Sequence, residues 1–369
     1  MSAASNLAVT VAWLSFLIAF ILGVISARTQ FCTLGAVSDI VNMGDYSRMR
    51  MWVLAMAVAI IGAQALYATG AIDLSKAFYV RPAVTWLSYL LGGLLFGVGM
   101  TLASGCGSRT LVRIGGGNVK SLVVFVFLGI AAYMTMKGLF GVWRVSFLDP
   151  IQIDVAARGA ATQEFGAVIA AVTGISRKTA QIGFAGVVAV AMLVFVLAGA
   201  DFRKSLDGWL GGLGYGLAVV AGWYVSAHIG FGENPDTLEE TFFGTNSRTA
   251  ESLTFVAPVA YSLELLMLWT DKSRIVTLGI ASTAGVIAGS LLAAITTRSF
   301  RIESFRDAPD LARHLIGAIL MGFGGVTALG CTIGQGLSGL STLSIGSALT
   351  TLAIAAGASL SIAIQLKKG

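Results

Sequence analysis

Apolar residues run along the chain in stretches of about 20, with no alternation and few charges, and short polar segments divide them. At the helical rise of about 1.5 Å per residue, such a stretch matches the roughly 30 Å hydrocarbon core of a bilayer. Nine stretches predict transmembrane helices, centred on 9–27, 50–69, 84–104, 119–140, 181–200, 207–227, 275–297, 312–330 and 344–365. Three shorter apolar pieces, 33–44, 107–116 and 333–342, predict short central helices that do not cross. A fourth, 251–269, reads as a dipping helix or a full span. The segment 141–179 carries scattered charges and Asp149-Pro150, and is expected to be a surface loop.

An internal repeat orders these elements. Setting Cys106 on Cys331, an offset of 225, also superposes Gly92 on Gly317, Gly97 on Gly322, Gly99 on Gly324 and Gly105 on Gly330. A second offset, 193, lays Gly23 on Gly216, and the longer polar stretch 230–250 absorbs the difference. The expected fold class is an all-α polytopic membrane protein, with one transporter domain over 1–369. The first half covers about 7–140, a connecting loop and helix about 141–205, and the second half about 206–366. With an odd helix between two four-span halves, the second half enters the membrane upside down, as in many secondary transporters.

Composition supports a lipid setting. Only 11% of the 369 residues are charged and 56% are hydrophobic, whereas soluble domains carry about 25% charged residues. The net charge of +6 does not indicate nucleic acid, because the basic residues cluster beside apolar spans rather than among aromatics. Fourteen basic residues fall on one side of a nine-span topology and ten on the other. The positive-inside rule then places the N-terminus outside and the C-terminus in the cytoplasm. The acidic stretch 232–240 falls outside. The first apolar stretch has no basic residues before it and is read as a retained helix rather than a cleaved signal.

Candidate chemistry lies in GVGMTLASGCGSRT (97–110) and GFGGVTALGCTIGQG (322–336). In each, an apolar helix ends in glycine and cysteine before a Gly/Ser/Thr-rich segment. Gly105 and Gly330 are expected to take the unusual backbone conformation that breaks the helix. The short helix after each cysteine then aims free N–H groups at it, which suits an anion. Broken backbone at membrane depth is tolerated where it lines a cavity or is buried in protein. Sulfur is soft and the surrounding donors are hard, a pairing that fits an anion with one sulfur and several oxygens. Gly92, Gly97, Gly317 and Gly322 read instead as helix-packing positions.

The candidate binding and translocation residues are Cys32, Cys106, Cys331, Gly105, Gly107, Gly330, Thr332, Arg109, Gln335 and Arg28. Cys32 lies in SARTQFCTLGA, and its repeat partner near Val225 is not a cysteine. Arg113 is a weaker candidate than Arg109. His228 and His314 at span ends, and the lone acid Glu264, read as structural. No catalytic residue, metal site or cofactor is expected, since the cysteines lack CxxC spacing and have no nearby histidine.

The segments RTQFC, GMTLASGCGSRTLVRIGGGN and LIGAILMGFGGVTALGCTIGQGLSGLSTLSIGS resemble the signatures of the YeeE/YedE family of bacterial inner-membrane transporters. The resemblance implies thiosulfate uptake through a nine-span fold with short central helices. It also implies that three cysteines hand the anion along by thiol–sulfur hydrogen bonds. Some relatives handle other sulfur or selenium compounds. A TusA-like soluble sulfur carrier is the implied partner besides the lipid bilayer, and no carrier domain is expected within the chain.

Three functions follow as alternatives: a permease for thiosulfate or a related anion, a membrane sulfurtransferase or redox component carrying a persulfide, and a scaffold. The missing resolving cysteine disfavours the second and the broken helices disfavour the third. A dianion entering a cell negative inside works against about 4.6 kcal/mol per 100 mV. No proton relay stands out, so consumption of the anion inside is the expected drive.

Overall fold

The structure, a computed structural model, describes residues 3–234 and 238–368. Residues 235–237 of the acidic stretch therefore lie outside the described residues. The first half contains α1 (Ala3–Thr29), α2 (Thr33–Met43), α3 (Ser47–Ala68), α4 (Trp86–Leu102), α5 (Gly107–Gly115) and α6 (Val119–Lys137). The connecting region holds α7 (Leu139–Trp143), α8 (Phe165–Thr173), α9 (Arg177–Leu197) and α10 (Ala200–Lys204). The second half contains α11 (Leu206–Tyr224), α12 (Ala257–Met267), α13 (Leu278–Thr296), α14 (Ala308–Thr327) and α15 (Ile345–Lys368). A largely π-wound helix at 332–341 lies between the last two. Sheet is confined to two antiparallel pairs, with Ala83 opposite Asp154 and Phe231 opposite Phe242.

Among the described residues, eight helices are long and apolar enough to cross a membrane, so the protein is a multi-pass membrane protein of all-α class. The remaining expected span, 312–330, is the 20-residue α14, which carries Asp310, Arg313 and His314 in its first two turns and is therefore less apolar. Lys120 Nζ meets Asp310 Oδ2 at 2.8 Å, which neutralises some of that charge. At 11 residues, roughly 16 Å, α12 is too short to cross, so 251–269 dips rather than spans.

Helix packing obeys a pseudo-twofold exchange. α1 packs on α13 as α11 packs on α3, α4 packs on α15 as α14 packs on α6, and α4 and α14 pack on each other. The short helices follow the same exchange: α2 lies against α15 and α3, and α12 against α6 and α13. α9 stands apart, packed on α3 and α8. α4 and α14 cross antiparallel, since Gly92 meets Gly324 while Gly99 meets Gly317, so these equivalent helices of the two halves run in opposite senses.

This exchange corrects one sequence assignment. The counterpart of α2 is α12, so Cys32 corresponds to Val256, the residue capping α12, and not to the region of Val225. The inserted stretch, which carries the Phe231–Glu233 and Glu240–Phe242 hairpin, precedes α12 and moves the register before that position is reached.

Glycine makes the central crossing possible. A Cβ on Gly92 would lie 2.8 Å from Gly324 O, and one on Gly99 would lie 2.7 Å from Gly317 O. These two contacts are images of each other under the repeat. Gly97 likewise faces the backbone of α15 where Gly322 faces that of α6.

The 141–179 segment is also more than a surface loop. Thr162, Gln163 and Glu164 are buried. Phe165 N–H donates to Leu343 O and Ile345 N–H to Gln163 O, both at 3.0 Å, which straps the segment across the end of the 332–341 helix. Arg177 pairs with Glu164 there, and Gln181 Nε2 donates to Thr342 O at 3.0 Å. Buried polar groups need such partners, and these supply them.

Glu264 anchors α12. Its carboxylate accepts from Lys137 Nζ at 3.0 Å and Tyr133 Oη at 3.1 Å, and Arg274 Nη1 lies 3.2 Å away. His314 Nδ1 is bonded to Asp310 O at 2.8 Å and His228 Nδ1 to Ala71 O at 2.9 Å, so both rings have structural partners.

Replacing Gly99 with Leu should lower stability by about 1–3 kcal/mol through overpacking. Replacing Gly183, where an added Cβ would meet no other part of the protein within 4 Å, should not. Melting temperatures in detergent test both. Glu264→Gln should cost about 1–2 kcal/mol, less than a fully buried pair because both cations are partly exposed. Loss of transport with an unchanged melting temperature would show that Glu264 acts otherwise.

Candidate functional site

Each cysteine follows a helix end of one kind. Ser104 (φ 57°) and Leu329 (φ 59°) adopt the left-handed conformation two residues before Cys106 and Cys331. Gly105 N–H then donates to Met100 O at 2.9 Å and Gly330 N–H to Gly325 O at 2.7 Å. Ser104 N–H donates to Thr101 O and Leu329 N–H to Val326 O, which completes a Schellman motif at both breaks. Gln30 (φ 55°) has the same conformation ahead of Cys32, with its N–H on Ser26 O at 3.1 Å.

The unusual conformation thus falls on Ser104 and Leu329, not on Gly105 and Gly330 as expected. A left-handed conformation costs a residue with a Cβ about 1–2 kcal/mol, so the breaks are mildly strained. The glycines serve close approach instead. A Cβ on Gly105 would meet Arg109 Cγ at 3.3 Å, and one on Gly330 would meet Gln335 Cγ at 3.0 Å. On Gly107 it would meet Phe255 O at 2.9 Å.

Cys32 caps α2 and Cys106 caps α5, while Cys331 immediately precedes the 332–341 helix. Gly35 N–H donates to Cys32 Sγ and Gly334 N–H to Cys331 Sγ, both at 3.4 Å. The Cys32 and Cys106 thiols face each other, and the Thr332 hydroxyl faces Cys106. Ser108 Oγ lies 3.3 Å from Cys106 Sγ, and Thr254 Oγ1 lies 3.9 Å from Cys331 Sγ. The starts of α2, α5, α12 and the 332–341 helix thus converge, and their N–H groups and dipoles make the centre electropositive. All three cysteines are free, and Cys106 and Cys331 are buried. No cluster of three metal-binding side chains occurs among the described residues.

Side chains staple both breaks. Arg113 Nη1 donates to Ser104 O at 2.9 Å in the first, and Gln335 Nε2 to Ala328 O at 2.6 Å in the second. Ser347 Oγ donates to Gln335 Oε1 at 2.6 Å, so the amide of Gln335 is engaged at both ends. Arg109 bonds Gln30 through Nη2, while its buried Nη1 has no hydrogen-bond partner among the described residues. Arg28 turns away from Cys32 and meets Asp207 at 3.1 Å, where both side chains are exposed.

Cavities open toward this centre from opposite faces. On the face of the C-terminus, one of about 600 Å³ is lined by Cys32, Ser38, Arg48, Ser104, Arg109 and Arg113. A neighbour of about 570 Å³ shares Gln30, Arg109 and Arg113 and adds Arg28 and Arg301. On the other face, a narrower cavity of about 140 Å³ is lined by Tyr79, Arg144, Glu251, Thr254, Leu329 and Gly330. Cys106 lines none of these three cavities and stands between them.

The structure therefore gathers Cys32, Cys106, Cys331, Thr332, Gly105, Gly107, Gly330 and Arg109, and leaves Arg28 at a rim and Gln335 in the scaffold. Sequence reasoning missed Thr33, whose buried hydroxyl, like that of Thr332, has no hydrogen-bond partner among the described residues. Each follows a cysteine directly, and that shared Cys-Thr step was the available signal. Ser108, Thr254 and Gln30 carried no comparable mark.

Comparison with known proteins agrees with this architecture. The family profile described as sulphur transport matches residues 28–360. The chain is 24% identical over 365 residues to the thiosulfate transporter TsuA of Spirochaeta thermophila, covering 92% of this chain and 94% of that protein. It is 26% identical over 326 residues to the thiosulfate transporter TsuA of Escherichia coli, covering 86% and 84%. With nearly its whole length matched and its cysteines set at paired helix breaks, the chain belongs to the sulphur-transport family.

Proposed function

We propose that this protein carries thiosulfate across the bacterial inner membrane into the cytoplasm, past Cys331, Cys106 and Cys32 in that order. The observation that supports this most directly is the file of three cysteines, each at the start of a short helix, between cavities on opposite faces. The chain's similarity to two thiosulfate transporters supports the choice of anion.

The chemistry suits each step. A thiol donates a weak S–H hydrogen bond, which a terminal sulfur accepts, while backbone N–H groups and the hydroxyls of Thr332 and Thr33 donate to the oxygens. The anion moves between sites of like kind, so no single site holds it too tightly to leave. No covalent step is required, and the protein acts as a transporter rather than an enzyme. Arg109 offsets the anion's charge beside Cys32, exchanging its bond to Gln30 for one to the substrate. In this orientation the N-terminus lies outside and the arginine-rich cavities open to the cytoplasm. A TusA-like sulfur carrier would work on that side, where consumption of the anion keeps the gradient inward.

Loss of one hydrogen bond to a charged partner costs about 1.5–3 kcal/mol, so Cys106→Ala and Cys331→Ala should each reduce thiosulfate uptake about 10- to 100-fold. Labelled thiosulfate uptake at matched protein level in membranes measures this, and wild-type rates in both variants would refute the cysteine path. A sulfur adduct on the intact protein after thiosulfate exposure, seen by mass spectrometry, would replace the non-covalent step with a persulfide. Arg109→Gln should also slow uptake, and Arg109→Lys should restore it in some measure, because charge matters there as well as geometry.

A further inference from the structure

The cavity leading to Cys331 contains a carboxylate, which is an unexpected group on the path of a dianion. Glu251 directly follows the inserted stretch 230–250, in the long connection to α12 where α1 and α2 are joined by only a few residues, so only one mouth of the protein carries it. Asn246 N–H donates to its Oε1 at 3.2 Å and Ser247 Oγ to its Oε2 at 2.9 Å, and both residues also line the cavity. Among the described residues no cation bonds it. Arg144 is the other charged residue of the lining, and its Nε sits 3.2 Å from Asp149 Oδ2. The remaining titratable groups of the lining are the hydroxyls of Tyr79 and, on α12, Tyr261. Cys331 lies behind Thr254. α6 and α14 contribute Met136, Gly325 and Val326, none of which titrates.

We propose that Glu251 is a protonation-controlled charge filter at the outer mouth. Protonated, it leaves the mouth with only the mutually neutralised Arg144–Asp149 pair and lets a sulfur oxyanion pass toward Cys331; ionised, it adds an unpaired negative charge that repels the anion. Burial pushes the Glu251 carboxyl up to about 7, against the opposing bonds from Ser247 and the Asn246 N–H. The neutral form therefore dominates in mildly acidic surroundings and the charged form in alkaline ones. Thiosulfate remains a dianion throughout that range, so the protein rather than the substrate changes charge. The proposal rests on the uptake reading above and adds a residue that governs access to the path.

Labelled thiosulfate uptake into vesicles of purified protein, with the same pH on both sides, isolates this group from any proton gradient. The wild-type initial rate should fall roughly tenfold between about pH 6 and pH 8, following the neutral fraction of a carboxyl titrating near 7. Glu251→Gln should abolish that dependence. Ser247→Ala, which removes a donor favouring the ionised form, should move the fall to higher pH, and it serves as the test if the glutamine variant does not fold. A flat wild-type profile, or an E251Q protein that keeps the wild-type slope, would overturn the filter while leaving thiosulfate transport standing. A wild-type protein that moves no thiosulfate at any pH would overturn both. A purely structural Glu251 would instead show a lowered melting temperature with the pH profile intact.

Discussion

The close approach of α4 and α14 is the constraint on which the site depends. Gly92 against Gly324, and Gly99 against Gly317, let the two backbones approach where any side chain would hold them apart. In lipid no hydrophobic force drives helices together, so such van der Waals contact over small residues is a main source of association. The crossing sits at the centre of the repeat exchange and is antiparallel, so the broken ends lie at its opposite ends, Ala103 beside Gly317 and Ala328 beside Gly92, and the short segments that follow turn back toward each other. Cys106 and Cys331 occupy those ends.

Breaking a helix inside a membrane releases carbonyl and N–H groups that need partners. Here the carbonyls are taken up locally, by the Schellman bonds and by Arg113 and Gln335. The N–H groups at the starts of the following helices point inward, toward the cysteines. The division leaves donors at the centre and acceptors covered, which favours an anion over a cation. The strain at Ser104 and Leu329 is modest and is held by the packing around it.

The two halves share this plan but not its chemistry. Cys32 caps α2 on one side and Val256 caps α12 on the other, so equivalent positions present a thiol and a hydrocarbon. The mouths differ as well: several arginines line the cavities near the C-terminus, whereas Glu251 and Arg144 share the opposite one. A symmetric backbone thus carries two chemically distinct cavities. The 141–179 segment reinforces the difference by fastening itself to the second half through Gln163 and Phe165.

Run length alone determined much of this protein. Twenty apolar residues need a bilayer, and a shorter piece beside Gly-Cys needs a protein interior, so the all-helical plan and the central breaks could be read directly. Glycine identities at one offset marked the crossing, because only glycine admits a neighbouring backbone so closely. Other features depended on residues distant in sequence. The left-handed positions fell on Gln30, Ser104 and Leu329, residues with no intrinsic preference for them, because the folded surroundings override local propensity. The pairing of α2 with α12 was hidden by an insertion, which shifts numbering but not packing. Whether Arg28 or Arg109 meets the cysteines could not be decided from proximity in the chain. Asp207, 179 residues away, draws the first aside, while Gln30, 79 residues away, holds the second in place.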